Sequence, residues 1–248
     1  MWTFCLRSLV REYGWRFVRR VALRHPVRTL QAFQQAGRID VSGVSVEVTG
    51  GGRHALDRPL SIVGAGFCLK PTNPSCPSGR ANHDCEFLER LAGADAAGVP
   101  APCRPCAIRD IGTRALRAGA AFYVMTSARD ILDDVFVPAM TRGTFTTGLF
   151  VLCRYSFQPF AIGLLASGIS GRLFPLEAGD CRDYRTWLLV DRGIKAEQTA
   201  ADGERMGAIA RLFDAAASPS GGVRVQRRGS LLCPLPSAPA STRTVEAM

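Results

Sequence analysis

Four apolar runs, separated by segments with helical periodicity, constrain the fold of this chain more than any other feature. The runs cover residues 60–65, 120–126, 148–153 and 172–176. The helical segments cover residues 106–118, 128–141, 157–167, 183–198 and 202–217. Runs that are apolar throughout are typical of parallel strands buried on both faces. This order predicts an α/β fold with an open, mostly parallel sheet and helices on both faces.

The first 38 residues form a basic arm. They contain eight arginines and a single acidic residue, Glu12. Apolar residues at three- and four-residue spacing predict an amphipathic helix over residues 5–35, which Pro26 breaks or kinks. Two interpretations stay open. The helix lies on an anionic membrane surface, as a peripheral contact, or it packs on the domain with its arginines in water.

The net charge of +10 is confined to the two ends of the chain. The arm contributes +7 and residues 218–248 contribute +3, whereas residues 39–217 carry 19 basic and 19 acidic side chains. A neutral core with basic ends is not typical of a domain that reads nucleic acid, so we expect no specific nucleic-acid partner. We predict a helical arm at 1–38, a cysteine-rich α/β metal-binding domain at 39–217 and a disordered tail at 218–248.

Neither a membrane span nor a signal peptide is predicted. The longest apolar segment, residues 148–169, is interrupted by Arg154. The N-terminus lacks the apolar core and small-residue cleavage site of a secretory signal. We therefore expect a cytoplasmic protein that the arm could attach to a membrane. In a reducing compartment, clustered cysteines usually bind metal or carry out redox chemistry.

Seven of the nine cysteines lie in one stretch of the chain. They are Cys68, Cys76, Cys85, Cys103, Cys106, Cys153 and Cys181. Thiolates are the ligands of zinc and of iron–sulfur clusters, and Cys103 and Cys106 have the C-x-x-C spacing with which two sulfurs bind one metal centre. The sequence predicts all seven as metal ligands, and all except Cys85 as residues that bind the cofactor.

Topology should bring these cysteines together. Cys68 and Cys153 end two of the apolar runs, and Cys181 follows another by a few residues. The carboxyl ends of parallel strands share one edge of a sheet, where ligands bind. Cys103 and Cys106 precede a helix whose N-terminus favours thiolate. We expect a single pocket at this edge.

The spacing of the cysteines favours an iron–sulfur cluster, of the 4Fe-4S type, over zinc. A structural zinc site usually has two close cysteine pairs or one pair with histidines, whereas this chain has one close pair and scattered single cysteines. One hypothesis is a redox protein in which Cys103, Cys106, Cys68 and Cys76 hold the cluster. Cys153 and Cys181 would then meet a small-molecule substrate, a second cluster or a redox partner. The alternative is a zinc-binding structural or partner-docking module without catalysis.

The order of several short motifs resembles a known family. The motifs are Cys-Leu at 68, Cys-Pro at 76, Cys-x-x-Cys-Ala-Ile from 103, Ala-Gly-Ala-Ala-Phe-Tyr-Val from 118, Gly-Leu-Phe-Val-Leu-Cys ending at 153 and Gly-Asp-Cys ending at 181. Residues 60–195 are similar to the uncharacterised cysteine-rich family with the placeholder DUF-one-hundred-and-sixteen. The resemblance implies a metal-binding role for these cysteines, with an iron–sulfur cluster as the expected metal, and it implies no particular reaction.

Overall fold

The fold is described from a computed structural model. The structure describes residues 14–40, 42–50, 55–91, 98–214 and 223–235. The start of the predicted first helix, residues 5–13, and the end of the predicted tail, from residue 236, lie outside these ranges.

A seven-stranded sheet forms the centre of the described structure. Its strands are β1 (Val46–Val48), β2 (Ile62–Gly66), β3 (Ala121–Met125), β4 (Thr147–Leu152), β5 (Ser170–Pro175), β6 (Val225–Arg228) and β7 (Leu231–Pro234). The spatial order is β1-β5-β4-β2-β3-β7-β6. The four central strands, β5, β4, β2 and β3, are parallel, with Ile62 in register with both Gly148 and Ala121. The predicted mostly parallel α/β sheet is confirmed.

Antiparallel strands close both edges of this sheet. At one edge β1 pairs with β5, and at the other a hairpin of β6 and β7 pairs with β3. For the tail, the sequence favoured disorder or at most a short strand at residues 223–226, whereas the structure forms both strands of this hairpin. Its turn contains Gly229 at φ +61°, and Leu232 is buried against the sheet. Edge pairing supplies hydrogen bonds that the polar composition of this segment does not reveal.

Helices connect the strands. They are α1 (Gly14–Phe17), α2 (Pro26–Ala36), α3 (Glu86–Glu89), α4 (Ala107–Arg117), α5 (Ala128–Ile131), α6 (Val137–Arg142), α7 (Phe157–Ser167), α8 (Tyr184–Asp191) and α9 (Gly203–Asp214). A π-helical turn, Leu132–Phe136, joins α5 to α6. The helix predicted for residues 183–198 ends at Asp191, because Gly193 adopts a left-handed conformation at φ +81°.

The two faces of the sheet bury two separate hydrophobic cores. Strand residues alternate between the faces, as the pleat requires. Ile62, Tyr123, Phe150 and Leu173 pack with α2, α6 and α7. Val63, Phe122, Leu149 and Phe174 pack with α3, α4 and α9. Helices on both faces, the second part of the fold prediction, are therefore confirmed.

The described part of the basic arm packs on the first of these cores. Phe17, Val21 and Ala32 are buried there. A π-helical turn, Val18–Ala22, follows α1, and the helix breaks before Pro26 because a proline disfavours helical geometry in the residue before it. Several large apolar side chains of the arm remain exposed, namely Trp15, Leu23, Val27 and Leu30. No helix in the described ranges is long and apolar enough to cross a membrane, and contact with a membrane surface stays a prediction.

Candidate functional site

Three of the seven cysteines meet at the carboxyl edge of the parallel strands. Cys68 lies two residues beyond β2, Cys153 follows β4 directly, and Cys181 lies in the loop between β5 and α8. All three line one cavity. The parallel register explains why residues so distant along the chain come together, because β2, β4 and β5 are hydrogen-bonded neighbours that end at the same edge. We call Cys68, Cys153 and Cys181 the three-thiol group.

The cavity beside the three-thiol group is apolar and about 150 Å³ in volume. Its walls include Met125, Phe136, Leu152, Phe160 and Trp187. An apolar cavity of this size takes a molecule or substituent about as large as a benzene ring. The thiols therefore face a space suited to a small apolar group.

Cys153 and Cys181 lie in one side-chain cluster with Trp187. The Ser156 hydroxyl lies 2.9 Å from the Cys153 sulfur. The hydrogen bond from Cys181, helped by the one from Ser156, lowers the pKa of Cys153 to about 7 although burial opposes this. The same bond, together with burial, raises the pKa of Cys181. Cys153 is thus the thiolate of the pair and Cys181 its proton donor.

Cys68 completes the three-thiol group. Burial raises the pKa of its thiol, and the nearby charge of Cys153 acts in the same direction. The Thr199 hydroxyl and the Lys195 ammonium oppose this rise. The Thr199 amide donates to the Cys68 carbonyl at 2.9 Å, so the segment after α8 fixes the backbone of Cys68.

The other four cysteines gather at the N-terminus of α4. Cys103 and Cys106 immediately precede this helix, and Cys85 immediately precedes α3. Cys76 lies in the loop that joins β2 to α3. The Leu88 side chain of α3 packs so closely on α4 that a Cβ on Gly112 would come within 2.4 Å of it. Because Cys85 immediately precedes α3, this packing places Cys85 near the N-terminus of α4. We call Cys76, Cys85, Cys103 and Cys106 the four-thiol group.

Electrostatic effects show that the four-thiol group is close together. Burial is the main cause that raises the pKa values of Cys85, Cys103 and Cys106, and that of Cys85 reaches about 12. The charge of Cys76 raises all three further, and that of Cys106 raises those of Cys85 and Cys103. Such mutual repulsion between thiolates makes a compensating cation favourable.

A buried lysine lies beside the four-thiol group. Lys70 is 1% exposed, and its ammonium donates to the carbonyls of Gly79 at 3.1 Å, Asn82 at 2.9 Å and Asp84 at 2.8 Å. Burial lowers the pKa of Lys70, whereas the charges of Cys76, Cys85, Asp84 and Cys106 raise it. No carboxylate of the described residues forms an ion pair with this ammonium. The sequence reasoning missed Lys70, whose only signal is its place between the apolar residues Leu69 and Pro71.

Arg80 lies within electrostatic reach of both groups. The charges of Cys68 and Cys76 raise the pKa of its guanidinium, although burial, the larger effect, lowers it. Its terminal nitrogens donate to the carbonyls of Lys195 and, at 3.1 Å, Glu197. Its Nε is buried without a hydrogen-bond partner in the described structure. A buried, unpartnered donor near thiols is suited to an anionic acceptor.

The donor set fits a thiolate-ligated metal, but the side chains as they stand do not form a coordination shell. In the ranges that the structure describes, no three Cys, His, Asp or Glu side chains are positioned to hold a metal ion. His83 is engaged elsewhere, since it stacks on Tyr123 and its Nδ1 lies 2.8 Å from the Val124 carbonyl. Metal binding at either group therefore requires the cysteine side chains to rearrange.

The division into two groups differs from the expected single pocket. The sequence placed Cys68 with Cys76, Cys103 and Cys106, whereas the structure places Cys68 with Cys153 and Cys181. Cys85 joins the four-thiol group instead. The physical reason is that the backbone turns after Cys68, so Leu69 faces the core below α4. The loop beyond it, held by the ammonium of Lys70, carries Cys76 and Cys85 away from the strand edge.

No protein-family model, curated protein or solved structure matches this chain. The resemblance to the cysteine-rich family stays a prediction.

Proposed function

We propose that this protein is a cysteine-ligated iron–sulfur protein with a redox role, in which the four-thiol group holds the cluster. The observation that carries the proposal is the buried ammonium of Lys70, which lies within electrostatic reach of Cys76, Cys85 and Cys106, while the neighbouring Asp84 carboxylate pairs with Arg227. A cluster bound by four thiolates has a net negative charge. A buried cation favours that charge strongly in a medium of low dielectric constant.

Two further features support an anionic group at this position. Cys103 and Cys106 lie at the N-terminal end of α4, an 11-residue helix whose dipole favours negative charge. Arg80, whose Nε is buried and unpartnered in the described structure, lies within electrostatic reach of Cys76 as well as of Cys68. Lys70, Arg80 and the dipole of α4 would together offset the negative charge of the cluster and its thiolate ligands. A bound cluster would supply one-electron transfer.

The raised pKa values of the thiols have a consequence for binding. Thiols coordinate as thiolates, so Cys85, Cys103 and Cys106 must each lose a proton when the metal binds. The affinity for metal should therefore increase with pH, and loading should release protons. Zinc bound by four cysteines shares this behaviour, which makes zinc the alternative that the experiment must separate.

The test is metal analysis of protein purified without oxygen. We expect iron and sulfide together with the visible absorption of a cluster, lost on Cys106→Ser. Matched controls are Cys153→Ser, in the three-thiol group, and Cys233→Ser, in the β6–β7 hairpin, both of which should retain the iron. Stoichiometric zinc with a colourless protein would establish the zinc alternative. Protein without metal would reject both, and equal loss of iron in Cys153→Ser would reject the assignment of the ligands.

A further inference from the structure

The three-thiol group has features that a metal site does not explain. Cys153 and Cys181 lie in one side-chain cluster with Trp187, and the Cys153 sulfur is 2.9 Å from the Ser156 hydroxyl. Cys181 is buried at 5% exposure, whereas Cys153 is partly exposed. Both line an apolar cavity that could admit a reactant. Two neighbouring thiols at such a cavity are the arrangement of an attacking and a resolving cysteine.

We propose that Cys153 and Cys181 form a redox-active dithiol that reduces small apolar disulfides bound in the adjoining cavity. Cys153 is the attacking residue and Cys181 the resolving residue. This activity belongs to the three-thiol group and does not depend on metal in the four-thiol group.

The reaction balances without another reactant. The Cys153 thiolate attacks one sulfur of the disulfide, whose S–S bond breaks and releases one thiolate. A mixed disulfide now joins Cys153 to the other half of the substrate. Cys181 passes its proton to the departing thiolate and attacks the Cys153 sulfur, which releases the second half, and that half takes a proton from solvent. The two product thiols thus take one proton from Cys181 and one from solvent. The two electrons that reduce the substrate come from the two cysteines, which end as a Cys153–Cys181 disulfide.

The cavity defines the class of substrate. Its wall is formed by Phe136, Phe160 and Trp187 among other apolar side chains, and its volume of about 150 Å³ suits a substituent the size of an aromatic ring. A charged peptide-like disulfide would lose hydration on entering this largely apolar space, which costs free energy. We therefore expect a neutral aromatic disulfide to react faster than oxidised glutathione.

Ser156 is the positioning residue of this pair. Its hydroxyl lies 2.9 Å from the Cys153 sulfur, and its amide donates to the Cys153 carbonyl, also at 2.9 Å. The 3-10 turn Arg154–Ser156 thus fixes the Cys153 sulfur at the carboxyl edge of the sheet. Cys68 lies within electrostatic reach of both partners and is the competing resolving thiol.

The experiment treats the reduced, full-length protein with one molar equivalent of the neutral disulfide dithiodipyridine, without oxygen. The reaction is stopped by acid, free thiols are alkylated and peptides are mapped by mass spectrometry. We expect two pyridinethione molecules released rapidly per protein and a disulfide between Cys153 and Cys181. Thiols of the four-thiol group should remain alkylated, and oxidised glutathione should react more slowly than dithiodipyridine.

Variants separate the two steps. Cys153→Ser should lose the rapid phase, and Cys181→Ser should release one pyridinethione and keep the other half of the reagent on Cys153. Ser156→Ala, which leaves both sulfurs in place, should slow the rapid phase, whereas Cys233→Ser should not. The proposal is overturned if Cys153→Ser reacts as fast as the unaltered protein. It is equally overturned if the mapped disulfide joins Cys153 to Cys68 or lies within the four-thiol group.

Discussion

The two cysteine groups of this protein contain the same side chain in opposite surroundings. In the four-thiol group, burial and mutual repulsion raise the pKa values of Cys85, Cys103 and Cys106. In the three-thiol group, hydrogen bonds from Cys181 and Ser156 lower the pKa of Cys153 to about 7. Cys85, Cys103 and Cys106 therefore hold protons that a bound metal would displace. Cys153 of the three-thiol group, in contrast, loses its proton near neutral pH. The difference teaches that the chemistry of a cysteine follows from its neighbours and not from its membership in a cluster.

The cations of the two groups also differ. Lys70 is buried and donates to carbonyls of its own loop, from Gly79 to Asp84. Lys195 is only partly buried and donates to the Gly179 carbonyl in the loop that carries Cys181. Lys70 therefore stabilises the loop that carries Cys76 and Cys85. Lys195 contributes a positive charge near the three-thiol group.

The largest effect is expected from removing the buried cation. Lys70→Met keeps the volume of the side chain but leaves the carbonyls of Gly79, Asn82 and Asp84 without their donor. Gly79 is exposed, so water can replace the donor there, whereas Asn82 and Asp84 are half-buried. An acceptor that water cannot reach costs about 1–3 kcal/mol when it is left unpaired, so we expect a loss of about 3 kcal/mol in the free energy of unfolding. The metal content should fall as well. Urea denaturation and metal analysis measure the two effects.

Lys195→Met is the matched control for this substitution. It removes a single hydrogen bond, to Gly179, from a partly exposed side chain, so the expected loss is about 1 kcal/mol, with metal content unchanged. Equal losses of stability or of metal in both variants would contradict the distinction between the two cations.

The sequence was informative where topology decides the outcome. Continuous apolar runs predicted parallel strands, and Cys68, Cys153 and Cys181 meet because those strands end at one edge. Sequence could not assign Cys85 to its partners, because the position of that residue depends on the packing of Leu88 against Gly112. Contacts between loops and helices of this kind leave no periodic pattern.

The same limit explains the residues that the sequence reasoning missed. Lys70 is a charged side chain whose burial depends on carbonyls far along the loop, up to Asp84. The β6–β7 hairpin pairs with β3 although its segment contains three arginines and little periodic apolar pattern. Both features are made by tertiary contacts that override local composition.

A smaller effect is expected from narrowing the apolar cavity. A Cβ at Gly163 would lie 2.2 Å from the ring of Phe136, and both residues line the cavity. Gly163→Ala should therefore displace the ring and cost about 2 kcal/mol by overpacking. The rate of reaction with dithiodipyridine should fall while metal content stays unchanged. Denaturation and stopped-flow absorbance measure these changes.

Gly207→Ala controls for the effect of alanine in a helix. Gly207 lies within α9, where a Cβ would meet only the end of the Arg211 side chain at 3.5 Å. Alanine there should stabilise the protein by up to about 1 kcal/mol and leave the thiol reaction unchanged. If Gly163→Ala removes metal as well, the two groups are not independent.

The smallest effect concerns the protonation of Cys153. Its pKa of about 7, against the ordinary 9.0, means that the thiolate population and hence the rate of alkylation by iodoacetamide should rise through pH 7. Cys85, with a pKa of about 12, should remain unreactive over the same range. The lowered pKa also stabilises the fold at high pH, and this contribution is lost as the pH falls through 7.

Ser156→Ala sharpens this last comparison. The substitution removes the hydroxyl that lies 2.9 Å from the Cys153 sulfur. Because one hydrogen bond contributes about 1 kcal/mol, the pH midpoint of Cys153 alkylation should rise by somewhat less than one pH unit. Alkylation at neutral pH should slow a few-fold. Mass spectrometry of the peptide containing Cys153, in metal-free protein, gives both quantities. An unchanged midpoint would contradict the role of the Ser156 hydroxyl and leave the thiolate to the Cys181 thiol and the backbone amides of Ser156 and Cys181.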